Sequence, residues 1–173
     1  MHRRPCLRVS GLICLIWLSS AGTLRGEVPA PLAPVQFLLG DWEGVGDQAG
    51  ATGGFTFALR VQDRVIVRTN YSDRPASGTE PASRHDDLMV IYEDAGRIKA
   101  EYFDSEGHII RYVADVKGAE VVFLSELRRS EPRYRLTYTQ TSPTMLLGKF
   151  DVASPARPDA FAPYLSWTAR KVK

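Results

Sequence analysis

The feature that most limits the fold of this chain is a succession of ten short runs rich in β-branched and aromatic residues, all of which follow Gly40. The runs comprise residues 41–46, 54–61, 64–72, 87–93, 97–104, 108–116, 119–127, 133–141, 144–153 and 164–172. Most are separated by short turn-forming segments such as Asp94-Ala95-Gly96 and Lys117-Gly118. Closely spaced strands of this kind predict an antiparallel meander.

Several of these runs alternate apolar and polar residues, as expected for strands with one dry face. In residues 133–138, Tyr134, Leu136 and Tyr138 alternate with Arg133, Arg135 and Thr137. An open meander of this many strands would leave two edges unpaired, whereas closure removes both. The sequence therefore predicts an all-β fold, an up-and-down barrel of about ten antiparallel strands, with a β-sandwich as the alternative.

The first 21 residues have the pattern of a secretory signal peptide. Three arginines precede an apolar core at Gly11–Leu18, and small residues follow as Ser19-Ser20-Ala21. The apolar core is shorter than the roughly 20 residues of a membrane span. The alternative is a retained N-terminal anchor. Cleavage after Ala21 would make the protein secreted or periplasmic, with 152 of its 173 residues left.

The remainder of the chain divides into a leader and one domain. Residues 22–34 are proline-rich and are predicted to be an extended leader without a role in the core. Residues 35–173 are predicted to form a single domain, which begins with a helical turn at Val35–Leu39. Two polar segments, 73–86 and 154–163, are predicted to be long loops.

Composition excludes several kinds of function for the processed chain. Both cysteines, Cys6 and Cys14, lie in the signal segment, which excludes disulfides, thiolate metal ligands and a cysteine nucleophile. The net charge of +2 becomes −1 when the three arginines of that segment are removed. The charge therefore gives no indication of nucleic-acid binding, and no second apolar stretch reaches the length of an integral membrane span.

The stretch FLLGDWEGVG at residues 37–46 resembles the start of the nitrobindin-like and lipocalin-like (calycin) small barrels. The later stretches HDDLMVIY (85–92) and EYFDSEGH (101–108) are similar to those of bacterial secreted domains of that superfamily. The resemblance covers the chain from about Val35 onwards. It implies a ten-stranded barrel with an internal cavity that binds haem, fatty acids or other small apolar molecules, and it does not imply an enzyme.

One departure from the nitrobindin-like pattern concerns haem. Haem binding in that family uses an axial histidine near the C-terminal strands, and this chain has no histidine after His108. Tyrosine can also ligate haem iron, and Tyr164 is the tyrosine in the corresponding region. No cofactor is therefore expected.

Candidate cavity residues come from the strand-borne aromatic and charged side chains, because small-molecule sites combine apolar walls with a few polar groups. Trp42 is interpreted either as a wall for a ligand or as a core residue beneath the helical turn. If Val122 faces inward, Glu126 becomes a buried carboxylate that needs a donor, for which Arg68, Arg111 and Arg135 are candidates. The complete set of candidates is Trp42, Arg68, Tyr92, Tyr102, Arg111, Tyr112, Glu126, Arg135 and Tyr138.

The histidines give weaker indications. His85 precedes Asp86 and Asp87, but adjacent strand residues point to opposite faces, so a loop-to-strand junction is favoured over a metal site. His108 lacks a sequence-adjacent carboxylate and is interpreted as a surface or hydrogen-bonded residue. No metal site and no catalytic residue are predicted.

Three functions remain open at this point. The first is a secreted barrel that binds a small apolar or amphipathic molecule without catalysis. The second is an enzyme with Glu126 or His108 as general base beside a tyrosine. The third is a filled barrel that acts as an interaction module in the cell envelope.

Overall fold

The computed structural model describes residues 28–46 and 50–172, and the predicted signal peptide lies outside these residues. The described chain begins with a 3₁₀ helix at Ala30–Leu38 and continues as ten strands. They are β1 (Gly40–Val45), β2 (Thr52–Arg60), β3 (Val65–Arg74), β4 (Ser83–Asp94), β5 (Arg97–Asp104), β6 (Ile109–Lys117), β7 (Glu120–Ser125), β8 (Arg133–Ser142), β9 (Met145–Ala153) and β10 (Ala162–Lys171).

The ten strands form one closed antiparallel barrel, which confirms the predicted fold class. Each strand pairs with its neighbours in sequence, and β1 pairs with β10 to close the sheet. The closing register sets Trp42 opposite Lys171 and Val45 opposite Thr168. The tight turns follow their sequence signals: Ala95 and Gly96 between β4 and β5 both have positive φ, of 52° and 76°. This is the conformation of the two-residue hairpin turns that match strand twist.

The 3₁₀ helix covers one end of the barrel and contacts β4 and β5. Leu32, Val35 and Leu38 are buried in the core. The indole Nε1 of Trp42 donates a hydrogen bond to the carbonyl oxygen of Leu38 at 2.8 Å, which links the helix to β1. The prediction that residues 22–34 have no core role is wrong for the part at Ala30–Pro34. Proline is tolerated in the first turn of a helix, where its missing N–H leaves no bond unmade.

The inward faces of the strands form an aromatic core. Trp42 and Phe55 stack with ring centroids 6.3 Å apart, and the ring of Tyr138 lies 5.5 Å from Phe57 and 5.9 Å from Trp167. Trp167 also lies directly over Gly148 of β9, where a Cβ would meet the indole Cε2 at 2.1 Å. A glycine is therefore required at this position by space, since the ring occupies the volume of the missing side chain.

The predicted long loop at residues 73–86 is shorter than expected, because both of its ends are strand. Residues 73–74 belong to β3 and residues 83–86 to β4, which leaves residues 75–82 as the connection. The extension is held by Arg84, whose guanidinium binds Asp73 at 3.1 Å and Asp86 at 2.9 Å and lies 4.8 Å from the ring centre of Tyr71. The polar composition reflects an exposed strand pair, because charged cross-strand partners stabilise a solvated face. The other predicted loop lies between β9 and β10, as expected.

The two ends of the barrel differ in character. The 3₁₀ helix leads directly into the first residue of β1, so it lies at the end where β4 terminates and β5 begins. The opposite end carries the start of β4, the end of β5 and the connection at residues 105–108. We call this opposite end the mouth. No helix within the described residues has the length and apolar character needed to cross a membrane.

Candidate functional site

A group of polar side chains lies inside the barrel between the aromatic core and the mouth. It consists of Arg68, Asn70, His85, Asp87, Tyr102 and Tyr138, and we call it the polar cluster. Strand pairing sets Asn70 of β3 opposite Asp87 of β4, and Met89 opposite Tyr102 of β5. Tyr138 comes from β8, on a distant part of the wall. The cluster therefore connects β3, β4 and β5 to β8, a strand that shares no backbone hydrogen bonds with any of them.

Arg68 is the centre of the polar cluster. Its Nη1 donates to the hydroxyl oxygen of Tyr138, and its Nη2 donates to Oδ1 of Asp87. The side chains of Arg68 and Asp87 are only 6% and 3% exposed. Burial alone would lower the pKa of Arg68, but the oxygen of Tyr138 and the carboxylate of Asp87 outweigh it and raise that pKa overall. The guanidinium is therefore charged and compensated by a buried carboxylate, the condition under which a buried charge is tolerated.

One donor of this guanidinium has no acceptor. The Nε of Arg68 is buried and makes no hydrogen bond within the described part of the chain. The neighbouring carboxylate of Asp87 is engaged by other donors, since its Oδ1 accepts from Nη2 of Arg68 and its Oδ2 accepts from Asn70 at 2.8 Å. A buried donor without a partner costs about 1–3 kcal/mol, and more for a charged group. Such a group in a native interior calls for an explanation.

His85 extends the polar cluster to the mouth. Its Nε2 lies 3.3 Å from Oδ2 of Asp87 and 3.3 Å from the hydroxyl of Tyr102. Its Nδ1 lies 2.8 Å from Oε2 of Glu106, in the connection after β5. Partial burial lowers the pKa of His85, but the hydrogen bond to Glu106 and the charges of Glu106 and Asp87 raise that pKa overall. His85 thus lies between a buried carboxylate and an exposed one.

The interior tyrosines are neutral. Burial is the largest cause that raises the pKa of Tyr102 and of Tyr112 above the ordinary value, and Arg68 opposes it in both. Tyr112 is buried beside Phe123, with ring centroids 6.3 Å apart. The guanidinium carbon of Arg68 lies 6.0 Å from the ring centre of Tyr102. Aromatic rings therefore surround the polar cluster, and the hydroxyl groups of these tyrosines stay protonated.

Five of the predicted cavity residues lie on the inward face of the barrel. Trp42, Arg68, Tyr112 and Tyr138 are buried, and Tyr102 is partly buried between Arg68 and His85. Trp42 packs beneath the helix, as the core interpretation of this residue requires. The five residues do not all meet, because Trp42 lies near the helix-covered end and Tyr102 near the mouth.

The other four predicted residues do not face the interior, and their placement there was wrong. Val121, Phe123 and Ser125 are the buried side chains of β7, so the opposite set faces outward, and Glu126 is exposed beyond the end of this strand. Tyr92 and Arg111 alternate with the buried Ile91 and Tyr112 and therefore face outward. Arg135 binds Asp151 at 2.9 Å on the outer face.

The enzyme hypothesis used Glu126 or His108 as a general base, and the structure places both residues away from the polar cluster. Glu126 is exposed, and its backbone N–H donates to the carbonyl oxygen of Arg111. His108 is 61% exposed, and its Nδ1 lies 2.8 Å from Oδ2 of Asp104. The interpretation of His108 as a hydrogen-bonded surface residue is therefore confirmed. Neither residue contacts the polar cluster, so the chemistry proposed for this pair has no geometric basis.

Sequence reasoning missed Asn70, Asp87, Asp104 and Glu106. The signal for Asp87 was its spacing from His85, because residues two apart on a strand share a face. Asp104 and Glu106 have the same spacing, and pairing of β4 with β5 sets Asp87 opposite Asp104. In the His-Asp-Asp run, the first and third members therefore form a pair on one face, which a comparison of adjacent residues does not reveal.

Two depressions of a few hundred Å³ lie on the described surface. One, of about 430 Å³, is lined by residues of β3 and β4 such as Arg74 and Arg84. The other, of about 390 Å³, crosses β1 to β4 and includes Glu43 and Tyr71. Both are open to solvent, so neither is the enclosed apolar cavity expected of a calycin-like ligand site. The ligand-binding function stays a prediction.

Tyr164, the residue considered as an axial ligand for haem, is not placed for that role. Tyr164 is 75% exposed, and its ring contacts Phe150 at an edge, with centroids 6.1 Å apart. An axial ligand must point at a buried iron, which an exposed phenol cannot do. The residues present therefore do not fit haem in the family's usual arrangement.

Comparison with known proteins adds no family assignment. Neither the protein-family models nor the curated proteins contain a match to this chain. The architecture is therefore the basis for classification: a closed antiparallel barrel of ten strands, consistent with a calycin-like barrel.

Proposed function

We propose that this protein is a nitrobindin-like or lipocalin-like container that binds a small amphipathic molecule non-covalently and performs no catalysis. The observation that carries this proposal is the buried Nε of Arg68, which has no acceptor among the described residues. A ligand oxygen that accepts this hydrogen bond would remove the cost of the unpaired donor. Ligand pockets commonly combine aromatic walls with a few such polar groups.

The charges around Arg68 favour a neutral polar group on the ligand. Asp87 already compensates the guanidinium, and Asp104 and Glu106 add negative charge towards the mouth. A carboxylate ligand would meet these like charges at close range, where the dielectric is lower than in water. A carbonyl or hydroxyl oxygen accepts the hydrogen bond without this repulsion. The preferred ligand is therefore an apolar molecule with a neutral acceptor group.

The direction of entry follows from the two ends of the barrel. The 3₁₀ helix covers one end with buried Leu32, Val35 and Leu38. The polar cluster lies towards the other end, where Tyr102 is only partly buried. We therefore propose that the ligand enters at the mouth and directs its polar group towards Arg68.

The proposal can be tested with two fluorescent probes that differ only in the head group, a long-chain alcohol and the matching carboxylic acid. We expect saturable binding of the alcohol and weaker binding of the acid. Arg68→Lys keeps the charge and removes Nε, so it should weaken alcohol binding about tenfold or more, since a hydrogen bond from a charged group contributes about 1.5–3 kcal/mol. Titration by fluorescence measures both affinities.

Arg111→Lys is the matched control, because Arg111 lies on the outer face and should leave probe binding unchanged. Circular dichroism establishes that each variant retains the barrel. If the wild-type protein binds neither probe, and native mass spectrometry of the purified protein detects no bound molecule, the container function is rejected. A filled barrel that acts as an interaction module would then be the better hypothesis.

We also propose that the chain is exported to the periplasm or secreted. Its basic, apolar and small-residue segments follow in the order used by signal peptides. Expression of the full chain in a secreting bacterium should give a protein whose intact mass corresponds to a start at residue 22. Ile16→Arg interrupts the apolar core and should leave the uncleaved mass. Recovery of the uncleaved wild-type chain from the cytosol would contradict the proposal.

A further inference from the structure

At the mouth, His85 of the polar cluster lies close to two carboxylates, those of Asp104 and Glu106. One potential ligand atom from each of these residues lies within 4.8 Å of the other two. His85 is on β4, Asp104 ends β5, and Glu106 follows in the connection to β6. An imidazole nitrogen and carboxylate oxygens are both ligand types that proteins use for zinc.

The hydrogen bonds of His85 determine which nitrogen is available to a metal. Its Nε2 faces Asp87, an acceptor that is 3% exposed. Asp87 also accepts hydrogen bonds from Arg68 and Asn70. When the proton of neutral His85 lies on Nε2, it is donated to Asp87 and the lone pair of Nδ1 faces Glu106. A buried carboxylate that fixes the tautomer in this way is the usual outer partner of a metal-bound histidine.

The Nδ1 side of His85 faces a carboxylate. Oε2 and Oε1 of Glu106 lie 2.8 and 3.1 Å from Nδ1 of His85. A lone pair on Nδ1 and a carboxylate at this distance repel each other, so either the ring proton on Nδ1 or a metal ion lies between them.

Asp104 supplies a fixed third ligand. Its Oδ1 accepts hydrogen bonds from the backbone N–H groups of Glu106 and His108, at 3.1 and 2.8 Å. These bonds fold the connection so that Glu106 returns towards His85. The side chain of Asp104 is only 6% exposed, so its carboxylate is positioned before any metal binds.

From this geometry we propose that Nδ1 of His85 and the carboxylates of Asp104 and Glu106 bind one divalent zinc ion at the mouth, with Asp87 orienting the histidine. Tetrahedral Zn²⁺ has bonds of about 2.0–2.2 Å, so its ligand atoms lie about 3.4 Å apart. The three ligand atoms already lie within 4.8 Å of one another, so small shifts of the side chains would bring them to this spacing. Water completes the coordination. Ca²⁺ and Mg²⁺ are disfavoured because they prefer sets made only of oxygen.

The test uses the full mature chain without a histidine tag, treated with a chelator and then dialysed. Calorimetric titration with ZnCl₂ should show one site, and titration with MgCl₂ or CaCl₂ should show none of comparable affinity. His85→Gln and Glu106→Gln should each weaken zinc binding at least tenfold. Co²⁺ as a spectroscopic probe should give the visible absorption of a site with nitrogen and oxygen ligands.

Glu126→Gln is the matched control, because it removes an exposed carboxylate that lies outside the three-residue site. It should leave the zinc affinity unchanged. The proposal is overturned if zinc does not bind with a stoichiometry of one, or if Glu106→Gln and Glu126→Gln have equal affinity. It is also overturned if the imidazole resonances of His85 are those of a protonated ring and do not change with zinc. The probe titrations of the container function use the chelator-treated protein, so their outcome does not depend on this result.

Discussion

Replacement of Arg68 by methionine is expected to lower the free energy of unfolding by about 3–5 kcal/mol, the range found when one partner of a buried ion pair is removed. The variant leaves the carboxylate of Asp87 buried with only Asn70 and His85 as partners. It also removes the contact that joins β3 to Tyr138 of β8. Urea unfolding followed by tryptophan fluorescence measures the change.

Two further variants separate the loss of charge compensation from the loss of volume. Arg111→Met breaks the exposed pair with Glu101, where the side chains are 52% and 34% exposed, and should cost less than about 1 kcal/mol. Adding Asp87→Leu to Arg68→Met removes the uncompensated carboxylate and should restore part of the stability. Equal costs for Arg68→Met and Arg111→Met would show that the buried pair has no special role.

Gly148→Ala is expected to destabilise the barrel by about 1–3 kcal/mol, because inserting a methyl group into a packed core forces side chains from their places. The new Cβ would lie 2.1 Å from Cε2 and 2.3 Å from Cζ2 of Trp167. The indole must move, which disturbs its edge contact with Tyr138. The expected result is a lower unfolding midpoint together with a shift in tryptophan emission.

Gly44→Ala provides the comparison for this substitution. Gly44 also lies in a strand, but a Cβ there would meet only the carbonyl oxygen of Gly53, at an ordinary contact distance of 3.4 Å. Its cost should be clearly smaller. In a double-mutant cycle, Trp167→Leu should reduce the cost of Gly148→Ala, since the two sites are in contact. Additive effects would mean that the ring does not cause the destabilisation.

The fold was predictable because its evidence is local. Alternation of apolar with charged or polar residues along β5 and β8 identified their inward sides, which carry Tyr102, Leu136 and Tyr138. It failed for β7, because both faces of this strand carry apolar residues and the sequence alone does not choose between them. Glu126 was therefore assigned to the wrong face, and it also lies beyond the last residue of β7.

The candidate site was less predictable because its contacts are long-range. Asp87 and Asn70 meet through the register of β3 against β4, which alternation within one strand does not determine. Tyr138 reaches Arg68 across the interior from a strand that is not a neighbour of β3. Only closure and the diameter of the barrel bring these two residues together, and neither is encoded in a local pattern.

Closure of the barrel by β1 and β10 also has a kinetic consequence. Trp42 and Lys171 are paired, so the closing hydrogen bonds join residues from opposite ends of the described chain. Contacts between residues so distant in sequence form slowly, because the entropy of a long loop must be lost first. Until β10 docks, β1 and β9 each have an unpaired edge, which is open to association with other chains. Folding yield should therefore be most sensitive to events that delay the arrival of the last strand.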